Sequence, residues 1–255
     1  MKRGIVIILS VLLLCCSCER KAGRGPYSQN QTTNRRNTSR GTPRSSKQTS
    51  TNNNSKTAVQ TITANNGEMS GADLFEKYNT AVFMIYTSDG WNDYQGSGFF
   101  ISRDGVAVSN YHVFKGTGIG YEQIKLSDGR KCKVKEVIAK SSDDDVIIFR
   151  VESGGKIFNC VPIAKKSPRV GEKAYAIGSP RGLENTFSSG EISQIRGDHD
   201  EILQISVPID HGSSGGVLLN SHGEAIGITT AGMDASGANL NFAISISVLE
   251  KYVKL

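Results

Sequence analysis

Between residues 71 and 255 the chain is built almost entirely of short apolar segments, each closed by turn residues. "AVFMIYTS", "GSGFFIS", "GVAVSN", "QIKLSDG", "KCKVKEVIAK", "DVIIFRV", "KAYAIGS", "SSGEISQIR", "ILQIS", "GVLLNS", "EAIGITT" and "NLNFAIS" follow one another, with "RDG", "SDG" and "SHGE" among the punctuation. The segments are too short for packed helices. They are rich in the β-branched and aromatic residues that suit a pleated surface. Many short strands with Gly-containing turns predict an all-β barrel or sandwich. Helices are expected only at the ends: a short one in "SGADLFEKY", capped by Ser70 or Asp73, and a closing one in "ISVLEKYVKL".

The chain before residue 71 is of a different kind. "MKRG" followed by the apolar run "IVIILSVLLL" reads as a targeting segment, too short for a typical membrane span. It ends in "CCSC", and a small residue before a cysteine after Leu-rich sequence resembles the lipobox of bacterial lipoproteins. That resemblance implies a signal over residues 1–17 and lipid attachment at Cys18, with Cys15 and Cys16 as alternative acceptors and a plain secretory signal as the alternative reading. Residues 19–70 hold 28 Ser, Thr, Asn or Gln among 52, with Val59 and Ile62 as the branched apolar residues. Such a segment buries too little surface to offset its ordering entropy, so a disordered tether is expected over 18–70. As a flexible coil it spans roughly 40 Å.

Charge follows the same division. Residues 19–70 carry nine Lys/Arg against two Asp/Glu, whereas residues 71–255 carry 19 against 22. The basic character thus belongs to the tether, which suits an anionic lipid or cell-wall surface, and nucleic acid is not expected as a partner. Cys132 and Cys160 remain in the folded part, either as one disulfide or as two buried thiols. Nothing in the spacing of His, Cys, Asp and Glu suggests a metal, and no cofactor is expected.

The chemistry concentrates in "DHGSSGGVLLN", residues 210–220. Glycine weakens regular structure, so Gly212, Gly215 and Gly216 suggest a bend that side chains would obstruct, held between the apolar runs on either side. Serine needs an adjacent base to become a nucleophile. Of the four histidines, His199, His211 and His222 lie in polar loops or turns, while His112 ends an apolar strand in "GVAVSNYHVF". "GSSGG" also fits the nucleophile elbow of α/β-hydrolases. That elbow leads into a helix and is followed by an acid and then a histidine, whereas here a strand follows and the order fails. The order His112, Asp145, Ser214 is that of chymotrypsin.

"GSGFFISRDGVAVSNYHVF", "DDDVIIFRV", "AIGSPRGL", "SSGEIS", "LQISVPIDHGSSGGVLLN" and "NFAISI" fall in the order in which they occur in HtrA/Deg-type trypsin-like serine proteases. The chain resembles that family over essentially all of residues 71–255. The resemblance implies two six-stranded antiparallel β-barrels, about 71–158 and 159–255, with the active site between them. It further implies Ser214 as nucleophile, with Ser213 a bystander, and an oxyanion hole formed by the N–H groups of Gly212 and Ser214. His112 is the implied general base and Asp145 the acid that orients it. Asp143 and Asp144 are rival acids. If β structure extends that far back, alternation leaves Asp143 on the same face as Asp145.

Two departures stand out. Digestive relatives carry an aspartate immediately before the nucleophile, and Ser213 replaces it, so activation by a freed N-terminus is not expected. HtrA proteins usually continue into PDZ domains, and here a protease domain without one is expected. By the same resemblance Ile209, Thr230, Ala231 and Gly232 bind substrate, which adds as a strand along 230–232. With Pro208 six residues before the serine, and Asp210 the nearest acid, small aliphatic residues are expected before the cut. The expected function is a serine endopeptidase acting on envelope or unfolded proteins, lipid-anchored in the bacterial cell envelope, with a trimer as the family's precedent. The alternative is an inactive scaffold lipoprotein on a protease fold.

Overall fold

Several strands of this protein, β2, β4, β8 and β12 among them, are buried on both faces, because one face looks into a barrel and the other into a second core outside it. The computed structural model describes residues 56–64, 67–115, 117, 121–179, 185–199, 201–233 and 240–255. The expected signal segment, Cys18 and most of the tether lie outside the described residues. In chain order the strands are β1 (Thr57–Ala58), β2 (Val82–Ser88), β3 (Asp93–Phe100), β4 (Val106–Ser109), β5 (Gln123–Leu126), β6 (Lys131–Cys132), β7 (Val134–Ser141) and β8 (Val146–Val151). There follow β9 (Lys173–Gly178), β10 (Thr186–Arg196), β11 (Ile202–Ile205), β12 (Val217–Leu219), β13 (Ala225–Met233), β14 (Leu240–Ser245) and β15 (Val253–Lys254). The one α-helix among the described residues, α1, runs from Gly71 to Tyr78.

Strands β9 to β14 form a closed barrel in the order β10-β11-β14-β13-β12-β9, with every pairing antiparallel. The earlier strands form an antiparallel sheet in the order β6-β5-β2-β3-β4-β8-β7. Its two edges, β6 and β7, are separated in sequence by Lys133 alone, so one bent strand serves both edges and the chain itself joins them. Counted that way the first barrel also has six strands, as the family resemblance implied.

The two-faced burial is visible residue by residue. On β8, Ile147, Phe149 and Val151 fill the first barrel, while Val146 and Ile148 face the other way. On β12, Leu218 points into the second barrel, while Val217 and Leu219 join the same outer core as Val146 and Ile148. That outer core contains residues of both barrels together with Leu74 and Tyr78 of α1 and Val248 and Leu249 near the C-terminus. It fixes the seat of one barrel on the other.

The ends differ from expectation in two respects. Ser70 caps α1 as expected, and Asp73 completes a reciprocal capping box. The closing helix is a 3-10 helix, Ile246–Lys251, leading into β15. The tether does not remain free to residue 70: β1 pairs in parallel with β15, and the N–H of Val59 donates to Lys254 O at 2.9 Å. Val59 joins the outer core and Ile62 packs against the first barrel's core. These are the two branched apolar residues in an otherwise polar segment, and their burial is what ties it down. Cys132 and Cys160 are free thiols, and burial raises the pKa of both.

Candidate active site

Strand β4 delivers His112. Its apolar residues are buried, and after Asn110 the chain turns into a 3-10 helix, Tyr111–Phe114. The hydroxyl of Thr87 on β2 donates to Val113 O at 2.7 Å and ties this turn to the barrel. Asp145 lies in the turn between β7 and β8, where Ser141 pairs with Val146. Its φ of 50° is in the left-handed region, which aspartate tolerates better than most residues. Its carbonyl accepts from Tyr111 N–H and from Asn110 Nδ2, each at 3.1 Å. One carboxylate oxygen accepts from the backbone N–H of His112 at 2.9 Å, and the other lies 2.8 Å from His112 Nδ1.

The neighbouring acids are placed otherwise. Asp144 is bonded by Lys251 Nζ at 3.0 Å and by the Tyr252 hydroxyl. Burial is the largest influence on its carboxyl and opposes ionisation, but Tyr252 and Lys251 together hold its pKa below the usual value. Asp143 is exposed and takes a 3.4 Å bond from Ser142 Oγ. Neither belongs to a strand, so alternation along β8 does not bring Asp143 to the face of Asp145 as expected.

The glycine loop is drawn into the seam between the barrels. The Ser97 N–H on β3 donates to Ser214 O at 2.7 Å, and Gly215 N–H donates to Thr229 O on β13 at 2.8 Å. A Cβ on Gly215 would lie 2.1 Å from Ser97 O, and its φ is +87°, so no other residue fits there. A Cβ on Gly96 would come within 2.6 Å of the Val113 side chain and 3.1 Å of Ser214 O. Bare backbone at Gly96 therefore lets the turn bearing His112 and the loop bearing Ser214 approach each other. No hydrogen bond joins Ser214 to His112 among the described residues.

The two serines differ sharply. Ser213 is buried, its N–H donates to Asp210 O, and its carbonyl accepts from Gly216 N–H at 2.9 Å and Thr229 Oγ1 at 2.6 Å. The peptide group is planar, so pinning Ser213 O turns the Ser214 N–H the opposite way. Gly212 has a φ of +95°, and its carbonyl accepts from Ser97 Oγ at 2.7 Å. Among the described residues, neither Gly212 N–H nor Ser214 N–H donates to a protein acceptor, although those of 213, 215 and 216 do.

Ser97 was not singled out from the sequence. It is fully buried, and its hydroxyl donates to Gly212 O while accepting from Ser179 N–H at 2.9 Å. A small polar residue between two glycines inside an apolar strand, "GSG", was the available signal.

The expected substrate residues lie around β14. Phe242 pairs with Thr230 on one side and with Gln204 on the other, and Asn241 Nδ2 holds Val207 O at 2.9 Å. Ile209, just beyond, is half-buried against the second barrel's core. Ala231 and Gly232 continue β13 after Thr230, where the pairing register with β14 shifts. Asp210 is exposed, and its carboxylate accepts the N–H of His211 at 2.7 Å.

Residues 96–228 match the trypsin-like peptidase domain family. The chain is 37% identical to a probable periplasmic serine endoprotease, DegP-like, from Rhizobium meliloti, over 60% of this chain and 31% of that one. It is 34% identical to a Do-like protease 1 of Arabidopsis thaliana chloroplasts, over 60% of this chain and 36% of the relative. The chain thus spans about a third of the length of these relatives. Among solved structures it resembles the serine endoprotease from Yersinia pestis, with a TM-score of 0.63 and 25% identity over 72% of this chain and 65% of that one. An HtrA-type protease solved with a tripeptide gives 0.64 and 26% over 72% and 62%.

Proposed function

Because the chain belongs to the trypsin-like peptidase domain family, with HtrA/Deg-type proteases among its relatives, we propose that it is a serine endopeptidase with Ser214 as its nucleophile. The observation that carries this reading is the two-point hold of Asp145 on His112, through backbone N–H and ring. That hold fixes the imidazole tautomer with Nε2 free to accept a proton. Ser214 Oγ attacks the scissile carbonyl as His112 takes its proton. The Gly212 and Ser214 N–H groups receive the charge that develops on the carbonyl oxygen. His112 then gives the proton to the leaving amine, and water, activated the same way, hydrolyses the acyl-enzyme. A Ser214–His112 hydrogen bond is not needed beforehand, since such contacts often tighten only with substrate.

The test is hydrolysis of unfolded casein by the chain from Lys56 onward, which keeps β1. Ser214→Ala abolishes turnover and Ser213→Ala leaves most of it. Equal loss in both, with circular dichroism unchanged, refutes the choice of nucleophile.

The reading extends to the cell envelope. The apolar leader ending in "CCSC" and the periplasmic description of a relative both support export, with lipid on Cys18 and envelope or unfolded proteins as substrates. Assembly as a trimer follows family precedent. Mass spectrometry of the mature N-terminus shows a lipidated Cys18; an unlipidated start within 19–70 contradicts it.

A further inference from the structure

The chain's single tryptophan, Trp91, is 93% exposed. It sits at the tip of the hairpin joining β2 to β3, held by hydrogen bonds. One oxygen of Asp89 accepts from the N–H groups of Trp91 and Asn92, both at 2.8 Å, and the other accepts from the Tyr94 hydroxyl at 2.9 Å. The backbone bonds from Asn92 and Trp91 hold the Asp89 carboxyl down at about 2, so the turn keeps its charged cap at any ordinary pH. A large, rigid side chain presented in water by a preformed turn is the arrangement of a binding residue, because little is left to order on contact.

Its place relative to Ser214 follows from strand register. Strand β2 pairs with β3 from Asp93 to Phe99, while on the other edge β4 pairs only with Phe99 and Phe100. The Ser97 N–H points off that second edge to Ser214 O. Strand alternation puts the backbone groups of Gln95 and Asp93 on the same edge. The Ser214–Gly215 segment lies between Ser97 on β3 and Thr229 on β13. A peptide that enters along Thr230 and crosses Ser214 therefore leaves along β3 toward the hairpin tip. From Ser97 to Asp93 is about 13 Å, roughly four residues of extended peptide. Tyr121, 78% exposed, comes two residues before Gln123 of β5, which pairs with Tyr86 of β2.

We infer that Trp91 is a specificity-determining residue that receives a large apolar side chain of the substrate a few residues past the cut, on the leaving-group side. The inference rests on the endopeptidase reading and deepens it. It selects extended segments with exposed aromatic or aliphatic residues, which unfolded proteins offer and folded ones hide.

Because Trp91 is the only tryptophan, its emission reports on its own surroundings. In the full chain carrying Ser214→Ala, an alanine-based decapeptide with Phe-Leu-Phe in its C-terminal half shifts the emission to the blue, and the Ser-Gly-Ser counterpart does not. No shift up to millimolar peptide, or the same shift with both, overturns the inference. In the active chain, Trp91→Ala lowers kcat/KM about tenfold for an internally quenched peptide with apolar residues after the cut. It leaves unchanged a p-nitroanilide that ends at the cut. Equal loss on both substrates, or none on either, is contrary. If the unmodified chain hydrolyses neither substrate, the endopeptidase reading fails, and the fluorescence titration still decides whether Trp91 meets peptide.

Discussion

At the residue scale, Ser97 and Ser213 aim backbone. Ser97 uses its hydroxyl twice, on Gly212 O and Ser179 N–H, and its own carbonyl accepts from Ser109 Oγ at 2.7 Å. Ser97, Ser109 and Ser179 are buried, where a polar group without partners costs free energy. Ser213 contributes its carbonyl, pinned by Thr229 and Gly216, and thereby sets the neighbouring N–H of Ser214. Both serines act through the peptide groups beside the proposed nucleophile. The sequence showed which residues were small and polar there; it did not show which of their oxygens faced which loop, because partners such as Gly212 and Ser179 for Ser97, and Thr229 for Ser213, are distant in the chain.

The element that decides which acid reaches His112 is the turn between β7 and β8. "DDD" looked like three candidates on or near a strand. The strand begins only at Val146, and the turn sends each carboxylate elsewhere: Asp143 outward, Asp144 to Lys251 and Tyr252, and Asp145 to His112. Asp145→Asn is expected to keep the fold and lower kcat about 10⁴-fold by favouring the wrong imidazole tautomer. Asp143→Asn is expected to be near wild type. Asp144→Asn loosens the C-terminal segment and reads mainly as a lower Tm. The measurement is kcat/KM and Tm for the three variants on one peptide. A severe loss in Asp143→Asn with Asp145→Asn near wild type contradicts the assignment. The tether shows the complementary effect: residues 56–62 read as polar coil, yet Val59 and Ile62 dock them. Two apolar side chains are enough where a strand edge, that of β15, stands ready to pair.

For the whole molecule, the barrels were legible because each strand is a short apolar run closed by turn residues. The double-sided burial of "VIIFRV" and "VLL" marks strands with a core on either face. What such runs do not contain is the seam. Gly96 reads in sequence as a weak point in a strand, and only the approach of Val113 and Ser214 shows why a side chain there is excluded. His112 and Asp145 come from the first barrel and Ser214 from the second, so the outer core that seats the barrels also sets the geometry of the proposed chemistry. The most direct measurement is mass spectrometry of the chain after exposure to an alkyl fluorophosphonate, which bonds phosphorus to an activated serine oxygen and expels fluoride. A single adduct on Ser214, lost in His112→Ala, is the predicted result. No adduct, an adduct on Ser213, or one undiminished in His112→Ala would contradict it.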